Sequence, residues 1–272
     1  MISFPAIDPV AIAIGPLKVH WYGIAYVVGI LLACHWAHGL IKRFQFGITH
    51  KQFDDLLPYA VVGIVIGGRL GHTLFYDPIY YLSHTVEILQ VWKGGMSFHG
   101  GCLGVVIMAL MYAKRRKIDF YELTDLMALI SPIGLFFGRL ANFINAELFG
   151  VETALPWGVV FPKQLVARHP TQIYEAVLEG LVLFLALNLL YKKSHKLRMC
   201  KGLTGSFFLS LYALFRLSVE PFKVQEVVVQ LGTHTLGVGV ILCTLMLLLS
   251  ILLIMLRLRV CRITSEIVAP LP

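Results

Sequence analysis

Apolar residues fall in seven long runs separated by short polar stretches, and these runs set the expected elements: about 21–40, 56–75, 98–113, 126–149, 173–191, 206–222 and 237–256. A helix rising about 1.5 Å per residue needs about 20 residues to cross a hydrocarbon layer about 30 Å thick, so each run reads as a membrane span. Hydropathy marks two of them least strongly: the third is short, and the sixth carries Arg216 and Glu220. The opening segment, Met1 to His20, contains Pro5, Asp8, Pro9, Gly15 and Pro16, which excludes one continuous helix and predicts an interfacial lead-in. Val86 to Trp92 predicts a short interfacial helix. The expected fold is all-α, a polytopic membrane protein of about seven transmembrane helices forming a single integral-membrane domain over 1–272. Gly-Arg-Leu recurs at 68–70 and 138–140, but three matched residues do not make a repeat.

Loop charges predict the orientation, because Lys and Arg concentrate in short cytoplasmic loops. Lys42, Arg43 and Lys51, then Lys114 to Lys117, then Lys192, Lys193, Lys196, Arg198 and Lys201, then Arg257, Arg259 and Arg262 all fall on one alternate side. The other side holds only Lys18, Lys93, Lys163, Arg168 and Lys223. The N-terminus is therefore expected outside (periplasmic) and the C-terminus inside (cytoplasmic).

Composition agrees: 272 residues with 58% hydrophobic and 14% charged content, at a mean hydropathy of +0.78, describe a membrane protein. The net charge of +8 does not point to nucleic acid, since it sits in clusters between spans. The N-terminus lacks the pattern of a removable signal peptide, so the first span is the expected insertion signal. Five cysteines, at 34, 102, 200, 243 and 261, form no CxxC pair and predict neither a disulfide framework nor a zinc site. Cys34, His35 and His38 lack a nearby carboxylate, so no metal and no cofactor is expected.

Three arginines, Arg69, Arg139 and Arg216, fall inside spans. The spans holding them all run outward, and each arginine is roughly 15 to 20 Å from the inner edge, past the midplane. An arginine there costs about 2.5 to 3.5 kcal/mol even on the mild insertion scale, so each is a functional candidate. A guanidinium offers a fork matched to phosphate oxygens. Arg139 reads as a phosphate anchor or as a structural partner of Glu147 or Glu220, and Arg69 fits a structural or a substrate role equally. Asn142, Glu147 and Glu220 are candidates for holding the arginines. His99, flanked by glycine pairs at the outer start of the third span, reads equally as a general base or a helix cap. Gly63, Gly67, Gly68 and Gly71, with Gly94 to Gly104, predict close helix approach.

The stretch Gly138-Arg139-Leu140-Ala141-Asn142-Phe143-Ile144-Asn145-Ala146-Glu147-Leu148-Phe149-Gly150 resembles the signature of the bacterial phosphatidylglycerol:prolipoprotein diacylglyceryl transferases. The resemblance extends to His20-Trp21-Tyr22-Gly23, Gly67 to Gly71 with Phe75-Tyr76, Gly94 to Gly101, Arg168 to Glu175, and Tyr212 to Glu220. It departs locally at Ala141, His72, Pro221-Phe222-Lys223 and the short segment between Gly150 and Arg168. The resemblance implies an inner-membrane enzyme with its site toward the outer leaflet. Such an enzyme moves the diacylglyceryl group of phosphatidylglycerol onto the lipobox cysteine of a prolipoprotein signal peptide. His99, Arg139 and Arg216 are then the expected catalytic residues. Arg139, Tyr22, Arg69, Asn142, Asn145, Glu147, Gly150, Tyr212 and Glu220 are the expected substrate-binding set.

A rival from another class, a transporter or flippase for an anionic phospholipid or small phosphate compound, could use the same arginines. Against it, alternating access favours a midplane site, whereas these arginines lie beyond the midplane. A receptor-like seven-span protein explains none of them.

Overall fold

The computed structural model of the chain describes residues 2–5, 7–15, 17–91, 94–225, 228–231 and 234–268. Pro16, Trp92 and Lys93, used in the readings above, lie outside the described residues. The chain forms α1 (Trp21–Phe44), α2 (His50–Phe75), α3 (Pro78–Ser83), α4 (Phe98–Arg116) and α5 (Phe120–Ile144). After these come α6 (Thr171–Glu175), a π-helical segment (Ala176–Val182) that continues it, α7 (Leu183–Lys193), α8 (His195–Met199), α9 (Leu203–Val219) and α10 (Val238–Val268). Each expected span thus has a helix. Among the described residues, four helices are long and apolar enough to cross a membrane: Trp21–Phe44, Phe120–Ile144, Thr171–Lys193 and Val238–Ile263. The protein is therefore a mostly helical, multi-pass membrane protein. The other three helices fall short for visible reasons. α2 carries Pro58, Arg69, His72 and four glycines in its apolar part, α4 ends in Lys114-Arg115-Arg116, and α9 has 17 residues.

Beside the helices, three small two-stranded pairings occur among the described residues. Ile2–Ser3 pairs in parallel with Val159–Val160, Val10–Ile14 pairs antiparallel with Leu17–His20, and Val228–Leu231 pairs antiparallel with His234–Gly237. Residues 85–89 form a 3-10 turn where a short interfacial helix was expected.

Two compact units are distinguished. One comprises residues 38–126 and 227–242. Within it α2 begins at a reciprocal cap: the Thr49 hydroxyl accepts from Gln52 N at 3.2 Å, and Gln52 Oε1 accepts from Thr49 N at 2.9 Å. α2 and α4 pack backbone to backbone along Gly63, Gly67 and Gly71 on one helix and Gly100 and Gly104 on the other. A Cβ on Gly63 would sit 2.7 Å from Gly104 O, and one on Gly71 2.5 Å from Gly100 Cα. Only glycine permits that approach.

The second unit comprises residues 1–37, 127–226 and 243–272. Its buried core includes Leu129, Ala141, Phe161, Leu183, Leu187 and Tyr212. Asn188, on α7, donates to Leu129 O and Phe184 O at 2.9 Å each and accepts from Trp36 Nε1 at 2.9 Å, so this polar side chain is satisfied between helices. Cys200 and Cys261 form a disulfide, correcting the expectation of none. Their separation of 61 residues carries no motif, and only the approach of α10 to the turn before α9 brings them together.

Candidate active site

α5 ends earlier than its hydropathy predicts. The apolar run continues to Phe149, yet the helix stops at Ile144. Ala146 takes a left-handed conformation, φ +54°, with its N–H on Phe143 O at 2.9 Å and the Glu147 N–H on Asn142 O at 3.0 Å. This is the Schellman closure of a helix, with alanine where glycine is usual. The closure folds Glu147 back over the last turn, where Asn142 Nδ2 donates to Glu147 Oε1 at 2.7 Å. Gln172 Nε2 holds the Glu147 carbonyl at 2.6 Å. Tyr22 reaches the same group through Asn142 and bonds Tyr26 between hydroxyls at 3.2 Å. Asn142, Glu147 and Tyr22 are thus brought together. Asn145 sits in the turn itself, past the end of the helix.

One turn before Asn142, Arg139 forks between two carboxylates. Its Nη1 lies 3.2 Å from Glu175 Oε2, and its Nη2 donates to Glu179 Oε2 at 3.1 Å. Both glutamates are fully buried, Glu175 at the end of α6 and Glu179 in the π-helical segment. Four residues apart, they share the face turned toward α5. π-helical insertions occur mostly as single turns inside α-helices, frequently at functional sites.

α9 supplies the rest. Arg216 Nε is 3.9 Å from Glu175 Oε1, its Nη1 bonds Glu220 Oε2 one turn on, and Gln225 Nε2 donates to Glu220 Oε1 at 3.1 Å. Lys223 Nζ donates to Glu175 Oε1 at 2.7 Å. Tyr212, fully buried, lies in the electrostatic field of Glu179, Arg139 and Arg216. Burial lowers the Lys223 ammonium below the ordinary lysine value, even against the pull of Glu175. A cavity of about 200 Å³ lined by Leu148, Phe149, Lys223 and Val224 adjoins the cluster through Lys223.

This arrangement corrects the expected partner of Arg139, which is neither Glu147 nor Glu220. Glu175 was visible only as the end of a motif and Glu179 was missed. The signal was present, since two carboxylates four apart inside an apolar run are as costly as the arginines. Three cations and three carboxylates face one another here. Removing one member of such a buried pair strands its partner at about 3 to 5 kcal/mol.

Gly150 is held by backbone. Its N–H donates to His169 O at 2.8 Å, and a Cβ there would lie 2.7 Å from Thr171 Cγ2 and 2.9 Å from His169 Cβ. Burial lowers the His169 imidazole below its ordinary value, and its Nδ1 shares a hydrogen bond of 3.1 Å with the Tyr174 hydroxyl.

Arg69 and His99 belong to the other unit. Arg69 is buried and donates to Glu87 O at 2.5 Å, Ile88 O at 3.0 Å, Gly94 O at 2.5 Å and Gly95 O at 3.4 Å, with its guanidinium 5.1 Å from the Tyr81 ring. Gly94 and Gly95 both have positive φ, 84° and 75°, which turns their carbonyls onto it. His99 stands in the first turn of α4, but the cap is Ser97, whose hydroxyl accepts from Gly100 N at 3.3 Å. The cap reading of His99 is thereby corrected.

The chain matches the model of the family described as prolipoprotein diacylglyceryl transferase over residues 9–256. It is 46% identical over 253 residues to the phosphatidylglycerol–prolipoprotein diacylglyceryl transferase of Rickettsia akari (strain Hartford), covering 93% of this chain and 97% of that one. The protein of the same name from Rickettsia felis (strain ATCC VR-1525 / URRWXCal2) is 47% identical over the same coverage, and that of Rickettsia bellii (strain OSU 85-389) is 46% identical over 93% and 96%. These matches lend nothing to the transporter alternative. With the signature built into the turn that ends α5 and the match running almost end to end, the chain belongs to the prolipoprotein diacylglyceryl transferase family.

Proposed function

We propose that this protein transfers the diacylglyceryl group of phosphatidylglycerol to the lipobox cysteine of prolipoproteins, the first step of lipoprotein maturation. The observation that carries the reading is Arg139, forked between Glu175 and Glu179 inside apolar helices, with Arg216 and Lys223 on the same carboxylate. Relatives at 46 to 47% identity bear the name of that activity.

The chemistry defines the roles. A cysteine sulfur displaces a phosphate oxygen from an sp3 glycerol carbon: the S–C bond forms, the C–O bond breaks, and glycerol phosphate leaves with the electron pair. The thiol, with a pKa of about 8.5, must lose its proton, and His99 is the base we assign. The phosphate must be held and its growing charge stabilised, which we assign to Arg139 with Arg216. Tyr22, Asn142 and Glu147 are assigned to positioning the lipid headgroup, and Tyr212 and Glu220 to orienting the two arginines. Asn145 and Gly150 shape the turn and loop beside them. Arg69, with its donors on four carbonyls, fits a loop-holding role better than a lipid contact.

The reading includes seven spans in the bacterial inner membrane, with the N-terminus periplasmic, the C-terminus cytoplasmic and the reaction at the outer leaflet. It is supported by the asymmetry of basic loops and by a helix over every apolar run. Phosphatidylglycerol would then enter sideways, and an exported signal peptide would present its cysteine at the same face. Purified protein incubated with phosphatidylglycerol and a lipobox peptide should add a diacylglyceryl mass to the cysteine. A peptide of unchanged mass after exhaustive incubation with folded protein would refute the reading.

A further inference from the structure

We propose that Glu179 is the counter-charge Arg139 exchanges for the lipid phosphate, and that it takes up a proton as the lipid binds and returns it to the departing phosphate. This rests on the function proposed above. Three cations and three carboxylates balance in the resting cluster: Arg139, Arg216 and Lys223 against Glu175, Glu179 and Glu220. A phosphodiester brings one more negative charge into a site walled by apolar helices, where an uncompensated charge is strongly disfavoured. One carboxylate must therefore leave or become neutral.

The geometry points to Glu179 because it is held least. Glu175 has three cations around it, Arg139 at 3.2 Å, Arg216 at 3.9 Å and Lys223 at 2.7 Å. Glu220 has Arg216 and the Gln225 amide. Glu179 meets Arg139 alone among these close pairings, through Oε2 at 3.1 Å, and its buried Oε1 has neither a hydrogen bond nor an ion pair among the described residues, whereas Glu175 Oε2, which also lacks a hydrogen bond, still lies 3.2 Å from Arg139 Nη1. A buried carboxylate oxygen with no donor is costly, whereas an O–H at that position would remove the charge. The groups that face Glu179 are Arg139 on α5, Glu175 on its own helix, Tyr212 and Arg216 on α9, and Cys243 on α10. Arginine stays charged, and tyrosine and thiol are already neutral, so apart from Glu175 with its three cations none of them can accept the proton instead.

The proton then has a use. As the C–O bond breaks, glycerol phosphate would leave as a dianion. Transfer of the Glu179 proton to that oxygen releases it as a monoanion, and Glu179, ionised again, reclaims Arg139. The thiol proton goes to the base and then to water, so the cycle balances as thiol plus phosphodiester monoanion to thioether plus phosphomonoester monoanion.

The test is calorimetric titration of the purified full-length chain in detergent with dioleoyl phosphatidylglycerol in mixed micelles of the same detergent, at pH 7, in buffers of different ionisation enthalpy. The dependence of the heat on the buffer counts protons. We expect uptake of about one proton per lipid bound in the wild type and close to none in Glu179→Gln, whose turnover falls because its amide has no proton to return to the departing phosphate. Lipid binding without proton uptake in the wild type overturns the proposal, as does an unchanged proton count in folded Glu179→Gln. If Glu179→Gln melts below the assay temperature, the wild-type count decides alone. Peptide transfer assayed by mass in parallel keeps the two readings apart: transfer without proton uptake sinks this inference only, and failure to bind or transfer sinks both.

Discussion

Asn142 Nδ2 donates to Glu147 Oε1 at 2.7 Å across a turn whose central residue, Ala146, is left-handed. The pair exists because the helix stops there. A continuous helix would put residues five apart on different faces, whereas the Schellman closure reverses the chain and returns the carboxylate to the helix end.

Ala146 is the residue that carries this strain. A non-glycine in the left-handed region costs about 1 to 2 kcal/mol, and glycine gives back about 0.5 to 1 through unfolded-chain entropy. Ala146→Gly should therefore keep transfer activity and raise the melting midpoint in detergent by about 1 to 3 °C. Ala146→Val should lower it and reduce activity. A clear loss of stability in Ala146→Gly would contradict the left-handed closure.

Arg139 hydrogen-bonds Glu179 through Nη2 and ion-pairs with Glu175 through Nη1, and an ammonium has no such planar fork. Arg139→Lys should lower transfer by roughly 10²-fold or more while the protein still folds. Arg139→Ala should be worse in both respects, stranding Glu175 and Glu179 at about 3 to 5 kcal/mol. Near-native turnover in Arg139→Lys would mean that positive charge alone suffices.

With Ser97 as the cap of α4, removal of the His99 ring should spare the helix start. His99→Gln should lower turnover roughly 10² to 10⁴-fold with lipid affinity nearly intact. Raising the pH toward the thiol's own value of about 8.5 should restore part of the rate. The pH-rate profile beside the phosphatidylglycerol affinity is the measurement, and native turnover at neutral pH would remove His99 from the mechanism.

His169 offers a pH effect on stability whose sign is set by burial. Its folded-state value is lowered, so the unfolded chain binds the proton more readily. The stability is complete above the ordinary histidine value of about 6.5 and is lost as pH falls from there toward the folded value. The melting midpoint in detergent should drop between pH 7 and pH 5, with a shallower slope in His169→Gln. An equal slope in the variant would assign the effect to other groups.

The proposed orientation puts Cys200 and Cys261 in the cytoplasm, where a disulfide is ordinarily kept reduced. Cys200 is buried, so Cys261 and an introduced Lys196→Cys are the reporters. An impermeant maleimide applied to intact spheroplasts after mild reduction should miss both and label them after permeabilisation. Strong labelling before permeabilisation would reverse the topology and move the reaction to the other leaflet.

Periodicity and hydropathy determined where helices form, because a 20-residue apolar run can satisfy its backbone in lipid only as a helix. The cost of charge in lipid likewise singled out Arg139 and Arg216, and the glycine spacing of α2 and α4 announced their close approach. What the sequence could not specify were relations between segments far apart in the chain. Arg139 meets Glu175 and Glu179 only because α5 packs beside the π-helical segment, and Lys223 joins them only because the chain after α9 folds back onto Gly150. The disulfide and the carbonyl acceptors around Arg69 were hidden for the same reason. The end of α5 was misread because the apolar pattern runs on through Phe149, while the local choice between helix and turn at Ala146 rests on two backbone hydrogen bonds and the carboxylate they bring back. Hydrophobic pattern records what lipid and core require of each residue separately. Which charges face one another is decided by packing, and that is fixed only when the helices come together.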